Sequence, residues 1–278
     1  MGIMRTTSGH IVGILIFSLL LGCTSGAEKK AQADFKRADA YVAGHDLSKA
    51  MELLDSMMVW NKDRYGIVGE AMRKRNAIAL DYHKGVIANS ETLLQGLESQ
   101  VATLARDFIL KPGEGGQPGV YEHKRQTVES SWNRSFLKIG LNENGDTWMI
   151  SHYFGNSWID HTSVRIYDQD NYIITDTIGL GHEWNRKVED LGDRWETIEF
   201  REGSDAGAIA FIAENYLKPV KARFTGKVFY YIVLESYDKE AFHKGWELAQ
   251  VLKERSGLRQ TILLHQAELR KLGATVTN

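Results

Sequence analysis

Apolar residues recur every three or four positions near both ends of this chain and every second position through its middle. That switch of period limits the folds open to it. Ala31, Phe35, Ala38 and Val42 step at helix spacing, Gly44-His45-Asp46 interrupts them, and Ala50, Leu53, Leu54 and Met57 resume the pattern. The spacing predicts an antiparallel helical pair. Residues 63–110 stay helical, with Ile87, Leu94, Leu97, Val101, Leu104 and Phe108 forming a coiled-coil-like seam. The proline- and glycine-rich segment 111–119 ends that helix. A last helix opens at Asp238 and runs to about Leu272, with Leu248, Leu252, Leu258, Ile262, Leu269 and Leu272 along one side. At 1.5 Å per residue it is about 50 Å long and needs a partner. The seam from Ile87 to Phe108, lying antiparallel to it, is the expected one.

The middle reads as short strands. Residues 136–141 and 147–154 flank Asn142-Glu143-Asn144-Gly145-Asp146, and Asn-Gly between two alternating runs signals a hairpin. Further strands are predicted at residues 162–167, 172–177, 194–200 and 208–213. Val220, Ala222 and Phe224 alternate with Lys221 and Arg223. Residues 227–235 are apolar on both faces, which predicts a strand buried on both sides at the centre of a sheet. The expected fold is α+β: N-terminal helices and a long C-terminal helix form a helical stalk, with an antiparallel β-sandwich of seven or eight strands inserted. In domain terms, residues 31–111 are helical, 112–237 form the β-sandwich, and 238–278 pack back on the helical region, so that the body behaves as one unit.

The start of the chain carries an address. Arg5 precedes an apolar run over residues 11–21, followed by Gly22 and Cys23, the only cysteine. A run of eleven residues suits a signal-peptide core and falls short of the roughly 20 that span a bilayer. Leu20-Leu21-Gly22-Cys23 resembles the lipobox of bacterial lipoproteins. The resemblance implies that residues 1–22 are removed, that Cys23 carries a diacylglyceryl group and an amide-linked acyl chain such as palmitate, and that residues 23–30 are a tether. It implies a membrane partner through the lipid anchor and residence in the bacterial cell envelope. Thr24 resembles the residue that follows the cysteine in lipoproteins sent to the outer membrane of Gram-negative hosts. Each buried methylene contributes about 0.8 kcal/mol, so two or three acyl chains hold where one does not. Met1-Gly2-Ile3-Met4-Arg5-Thr6 also fits the loose N-myristoylation pattern, which leaves the apolar run unexplained. Ala38, Tyr41, Ala50 and Leu54 resemble one tetratricopeptide repeat, without its closing proline or a second copy.

With Cys23 lipidated, no thiol remains for a disulfide, a nucleophile or a sulfur metal ligand. The chain carries 34 Lys and Arg against 36 Asp and Glu, a formal charge of −2. That balance, with signs interspersed, argues against a nucleic-acid partner. His152, His161 and His182 lie in the β region with Asp160 beside His161, but no H-E-x-x-H spacing supports zinc. His83, His243 and His265 fall on helices as surface or seam residues. No G-x-S-x-G elbow surrounds any serine, and Ser163 next to Asp160-His161 does not make a triad by adjacency. Asp168-Gln169-Asp170-Asn171 lacks the glycine and closing glutamate of a calcium loop. The carboxylate pairs Glu189 with Asp190 and Glu199 with Glu202 say nothing without a distance. No metal or cofactor is expected.

Aromatics are the remaining lead. Trp132, Trp148, Trp158, Trp184 and Trp195, five of the seven tryptophans, fall in one quarter of the chain. Most tryptophans in a β domain are core, but Trp158 and Trp184 adjoin turn-like segments. With Tyr153 they form the expected ligand-binding surface. The sequence therefore predicts an envelope-anchored, non-enzymatic binding or scaffold lipoprotein whose β head recognises a polymer or a partner protein. The alternative is an envelope hydrolase with its site near His152, Asp160 and His161.

Overall fold

The computed structural model of the protein describes residues 26–131 and 133–274. The apolar run, Cys23 and Trp132 lie outside the described residues. Six helices, α1 (Gly26–Ala43), α2 (Leu47–Trp60), α3 (Tyr65–Leu104), α4 (Val128–Ser131), α5 (Ala208–Glu214) and α6 (Ser236–Lys271), occur among them. α1 begins at Gly26, so the second half of the expected tether is helical. The chain divides into two compact units, with the boundary between Tyr82 and His83 inside α3. The expectation of one unit is corrected on that point. No helix among the described residues is long and apolar enough to cross a membrane.

In the first unit α1, α2 and the first turns of α3 share a small core of Phe35, Ala38, Leu54, Met57 and Ala71. The break between α1 and α2 is built by the turn residues themselves. His45 takes a positive φ of 60°, and the Asp46 carboxylate accepts from the Lys49 amide at 3.2 Å, capping α2.

In the second unit the rest of α3 pairs with α6. His83 meets His265 at 2.7 Å and Glu98 meets Arg259 at 2.6 Å, and just past the end of α3 Asp107 meets Lys244 at 2.7 Å. Residue numbers rise along one helix as they fall along the other, so the two run antiparallel. Val101 and Leu104 pack with Leu248 and Leu252 in the seam. Phe108 is not a helical seam residue. α3 ends at Leu104, and Phe108 opens a strand, contributing to the same core from there.

The strands are β1 (Phe108–Lys111), β2 (Val120–His123), β3 (Phe136–Asn142), β4 (Thr147–Gly155), β5 (Ser163–Tyr167), β6 (Tyr172–Ile174), β7 (Asn185–Asp190), β8 (Asp193–Phe200), β9 (Lys221–Thr225) and β10 (Tyr230–Val233). They form two antiparallel sheets, ordered β1-β2-β3-β4-β8-β7 and β10-β9-β5-β6. The two sheets are inserted between α3 and α6. One core joins them: Leu137, Ile139, Met149, Ile198 and Phe200 from the first sheet, and Val164, Ile166, Ala222 and Phe224 from the second. Ile209 and Ile212 of α5 and Phe242 of α6 enter the same core.

Two strand expectations are corrected. Residues 208–213 are the helix α5, and the buried set Ala208, Ile209, Ile212 and Ala213 follows helical spacing. A short apolar run does not distinguish the two states by itself. Residues 227–235 do not form a central strand. β10 is the edge of the second sheet, pairing only with β9, and most of its side chains are exposed. The strands β1, β2 and β7 escape the sequence reading. β7 is polar, with its last five residues all exposed, as suits an edge.

The expected β3–β4 hairpin is present. Asn142 Oδ1 accepts from the amides of Asn144 and Asp146 at 2.9 and 3.0 Å. Gly145 takes φ of 85°, and a Cβ there would come 2.5 Å from the Ala249 carbonyl oxygen of α6. The turn is thus pressed against a helix backbone. At the start of α6, the buried Asp238 carboxylate receives two bonds from Arg134, at 2.6 and 2.8 Å, and one from Gln126 at 2.8 Å. Gln126 also donates to the Leu137 carbonyl of β3 at 3.1 Å, which ties the helix start to the sheet. Gly145→Ala should destabilise the fold more than Gly192→Ala, measured by urea unfolding. Gly192 has a similar φ of 92° but open space around it, so only the left-handed backbone cost of about 1–2 kcal/mol applies there. The collision with α6 should add about 1–3 kcal/mol at Gly145.

Candidate functional site

His152, Asp160 and His161 do not converge. His152 shares a 3.0 Å hydrogen bond with Thr197. Its neighbour Ser151 points to the opposite face of β4, as strand alternation requires. Asp160, held at φ of 54°, pairs with Lys187 and, at 2.5 Å, with Lys227. His161 turns inward instead. Its Nδ1 meets Glu196 Oε2 at 2.7 Å and its Nε2 meets Ser151 Oγ at 2.9 Å. A carboxylate only accepts, so Nδ1 carries the proton, and in the neutral ring Nε2 accepts from the serine hydroxyl.

The order serine, histidine, carboxylate is that of a hydrolase triad, and its distances fit. Exposure decides its role. Ser151, His161 and Glu196 are all at 0%, so Oγ has no room for a scissile carbonyl. Glu196 is occupied as well, accepting from the amides of Ile159, Asp160 and His161 at 2.8 Å each. Burial works against its charge. The bonds from the His161 ring and from the amides outweigh that and hold its carboxyl below the ordinary value. The chain of three is a buried clamp on the segment that leaves β4 for β5.

The aromatic residues expected to bind ligand are largely committed elsewhere. Tyr153 is 3% exposed, belongs to the core, and donates its hydroxyl to the Ser157 carbonyl at 2.9 Å. That corrects its placement on a surface. Trp158 is half-buried with Lys187 and Arg194 over its ring at 4.8 and 5.5 Å. Trp184 is half-buried against the core and meets His182 edge-on. Trp148 and Trp195 are buried. Among the described residues no group of three or more His, Cys, Asp or Glu side chains is placed to hold a metal ion.

The outer face of the second sheet is different. β5 and β9 send Val164, Ile166, Ala222 and Phe224 inward, so Arg165, Tyr167, Lys221 and Arg223 face out. Register places Tyr231, Arg223, Arg165 and Ile174 in one row across four strands. Val233, Lys221, Tyr167 and Tyr172 form the next row. Tyr231 is 58% exposed, Val233 62%, Tyr172 57%, and Phe229, just before β10, 52%. The Arg165 guanidinium lies 4.1 Å from the Tyr172 ring, and the Arg223 guanidinium 4.5 Å from the Phe229 ring. The two arginines are direct partners across β5 and β9, where like charges repel. The ion pairs among the described residues include none to Arg165, Lys221 or Arg223. The Nε of each arginine is buried without a hydrogen-bond partner.

A cavity of about 530 Å³ lies between the β3–β4 turn, the loop after β8 and α6. Its lining mixes Asp146, Glu202 and Asp205 with Arg201 and Lys253, so its charges offset one another. No protein-family model, curated protein or solved structure matches the chain.

Glu196 was missed by the sequence reading because nothing local marks it as the partner of a histidine 35 residues away. Alternation along residues 163–167 and 220–224 was available and shows Arg165, Lys221 and Arg223 facing away from the core. Their juxtaposition depends on strand order. Replacing Glu196 by Ala leaves three amides and a histidine unanswered in the interior. It should cost about 3–5 kcal/mol in urea unfolding at neutral pH. Because the folded carboxyl is depressed, its contribution is complete above the ordinary value of 4.5 and lost as pH falls below it. Glu196→Gln should therefore flatten the acid limb of the stability profile. Parallel profiles would show that the carboxylate is not the charged species in the fold.

Proposed function

We propose that the protein is a lipid-anchored binding module of the bacterial cell envelope that performs no chemistry of its own. The observation that carries the binding half is the outer face of the β10-β9-β5-β6 sheet, where exposed rings surround cations with no ion-pair partner. A contiguous apolar and aromatic face of this kind marks an interaction site. The anchoring half rests on Arg5, the apolar run over residues 11–21, and Leu20-Leu21-Gly22-Cys23. Burial of Ser151, His161 and Glu196 favours binding over hydrolysis. On this reading the β head recognises a polymer or a partner protein.

Metabolic labelling with a fatty-acid analogue should tag the wild-type chain, and Cys23→Ser should abolish the tag and move the protein out of the membrane fraction. Unchanged label and fractionation would refute the anchor. For the head, full-length protein in detergent should sediment with delipidated envelope material. The double variant Phe229→Ser/Tyr231→Ser should lose most of that association while keeping its unfolding midpoint, because both side chains are exposed. Retention equal to wild type would remove this face from the function.

A further inference from the structure

We propose that the outer face of the second sheet binds an anionic polysaccharide, an inference that rests on the binding-module reading above and names its ligand class. The first reason is charge. Arg165 and Arg223 are set directly opposite each other with no carboxylate in ion-pair reach, and Lys221 stands one row away. Such a pair loses its mutual repulsion when anionic groups bridge it, and guanidinium forks match carboxylate, sulfate and phosphate geometry.

The second reason is shape. Small-molecule sites are concave and enclose their ligand. This face is an open sheet four strands wide, about 14 Å across at normal strand spacing. It suits an extended chain that crosses several strands. The third reason is the order of side chains. Cations occupy the central strands β5 and β9, while Tyr172, Tyr231 and Val233 occupy the edges. A membrane-docking surface has the reverse order, with apolar tips central and long cations reaching outward to headgroups. A bound peptide strand would draw its main-chain hydrogen bonds from the β10 edge, whereas the face supplies rings and charge. Rigid aromatic rings beside arginines stack on sugar rings while the arginines hold the acidic groups.

The test uses the full-length chain in detergent micelles with four probes: polygalacturonate, neutral dextran of matched length, single-stranded DNA, and vesicles containing an anionic phospholipid. Polygalacturonate should bind at least tenfold tighter than dextran, and the affinity should fall as salt screens the charges. Arg165→Gln/Arg223→Gln should weaken polygalacturonate binding at least tenfold, with the thermal midpoint no lower than wild type because repulsion is relieved. Arg165→Lys/Arg223→Lys, which keeps the charge and loses the fork, should fall between them. If the double glutamine variant binds as wild type does, the proposal is overturned. Equal binding of dextran overturns it too, although the face then still binds polymer. Tighter binding of DNA or of the vesicles assigns the face to another ligand and overturns it as well. If no probe binds but Phe229→Ser/Tyr231→Ser still abolishes sedimentation with envelope material, the binding module stands and the polysaccharide falls. If both effects are absent, the two readings fall together.

Discussion

Glu196 is the interaction around which the β head is organised. It sits on β8 of the six-stranded sheet, fully buried, and gathers the amides of Ile159, Asp160 and His161. Those residues belong to the connection that leaves the first sheet at β4 and enters the second at β5. A buried carboxylate needs several donors to stay charged, and here consecutive backbone amides supply them. The crossing therefore has one geometry. His161 carries the constraint onward by bonding Ser151 of β4 and stacking on Phe224 of β9, with ring centroids 5.1 Å apart. One acid thus registers elements from both sheets.

The outward face lies on the strand that follows the clamp. Within β5, Val164 and Ile166 point into the core, so Arg165 and Tyr167 point out. β9 pairs in register with β5, which sets Arg223 opposite Arg165. Asp160, adjacent to the clamp, takes a positive φ and is held by Lys187 and Lys227 on either side. The two sides of the second sheet differ in character. The inner side carries hydrophobic burial, and the outer side carries charge and rings that the fold leaves uncompensated.

The α+β class, the paired long helices and the β3–β4 hairpin were legible because each depends on local signals: a helical period, a proline–glycine break, or Asn-Gly between alternating runs. The failures share a physical cause. Residues 208–213 are apolar in both strand and helix readings, and only packing of Ile209 and Ile212 into the shared core chooses helix. Val228, Phe229, Tyr231 and Val233 look like a buried central strand by hydrophobicity. In the fold they are an exposed edge, because β9 already has β5 on its other side and nothing among the described residues pairs beyond β10. The candidate site was half-legible. The alternation that turns Lys221 and Arg223 outward can be read from the chain, but the aromatic residues that look most surface-like, Tyr153 above all, are claimed by the core.

By itself the chain determined the long helices, the β3–β4 hairpin and the apolar side of β5 and β9, since those properties depend on neighbours within a few residues. It also determined the motif at Cys23, a matter of covalent sequence. Tertiary structure alone decided that Glu196 meets His161, that Arg165 faces Arg223, and that β10 lies at an edge. The first two pair groups far apart in sequence, and the third depends on β5 having taken the other side of β9. Long-range pairing depends on how the two sheets share one core, a property no local window contains.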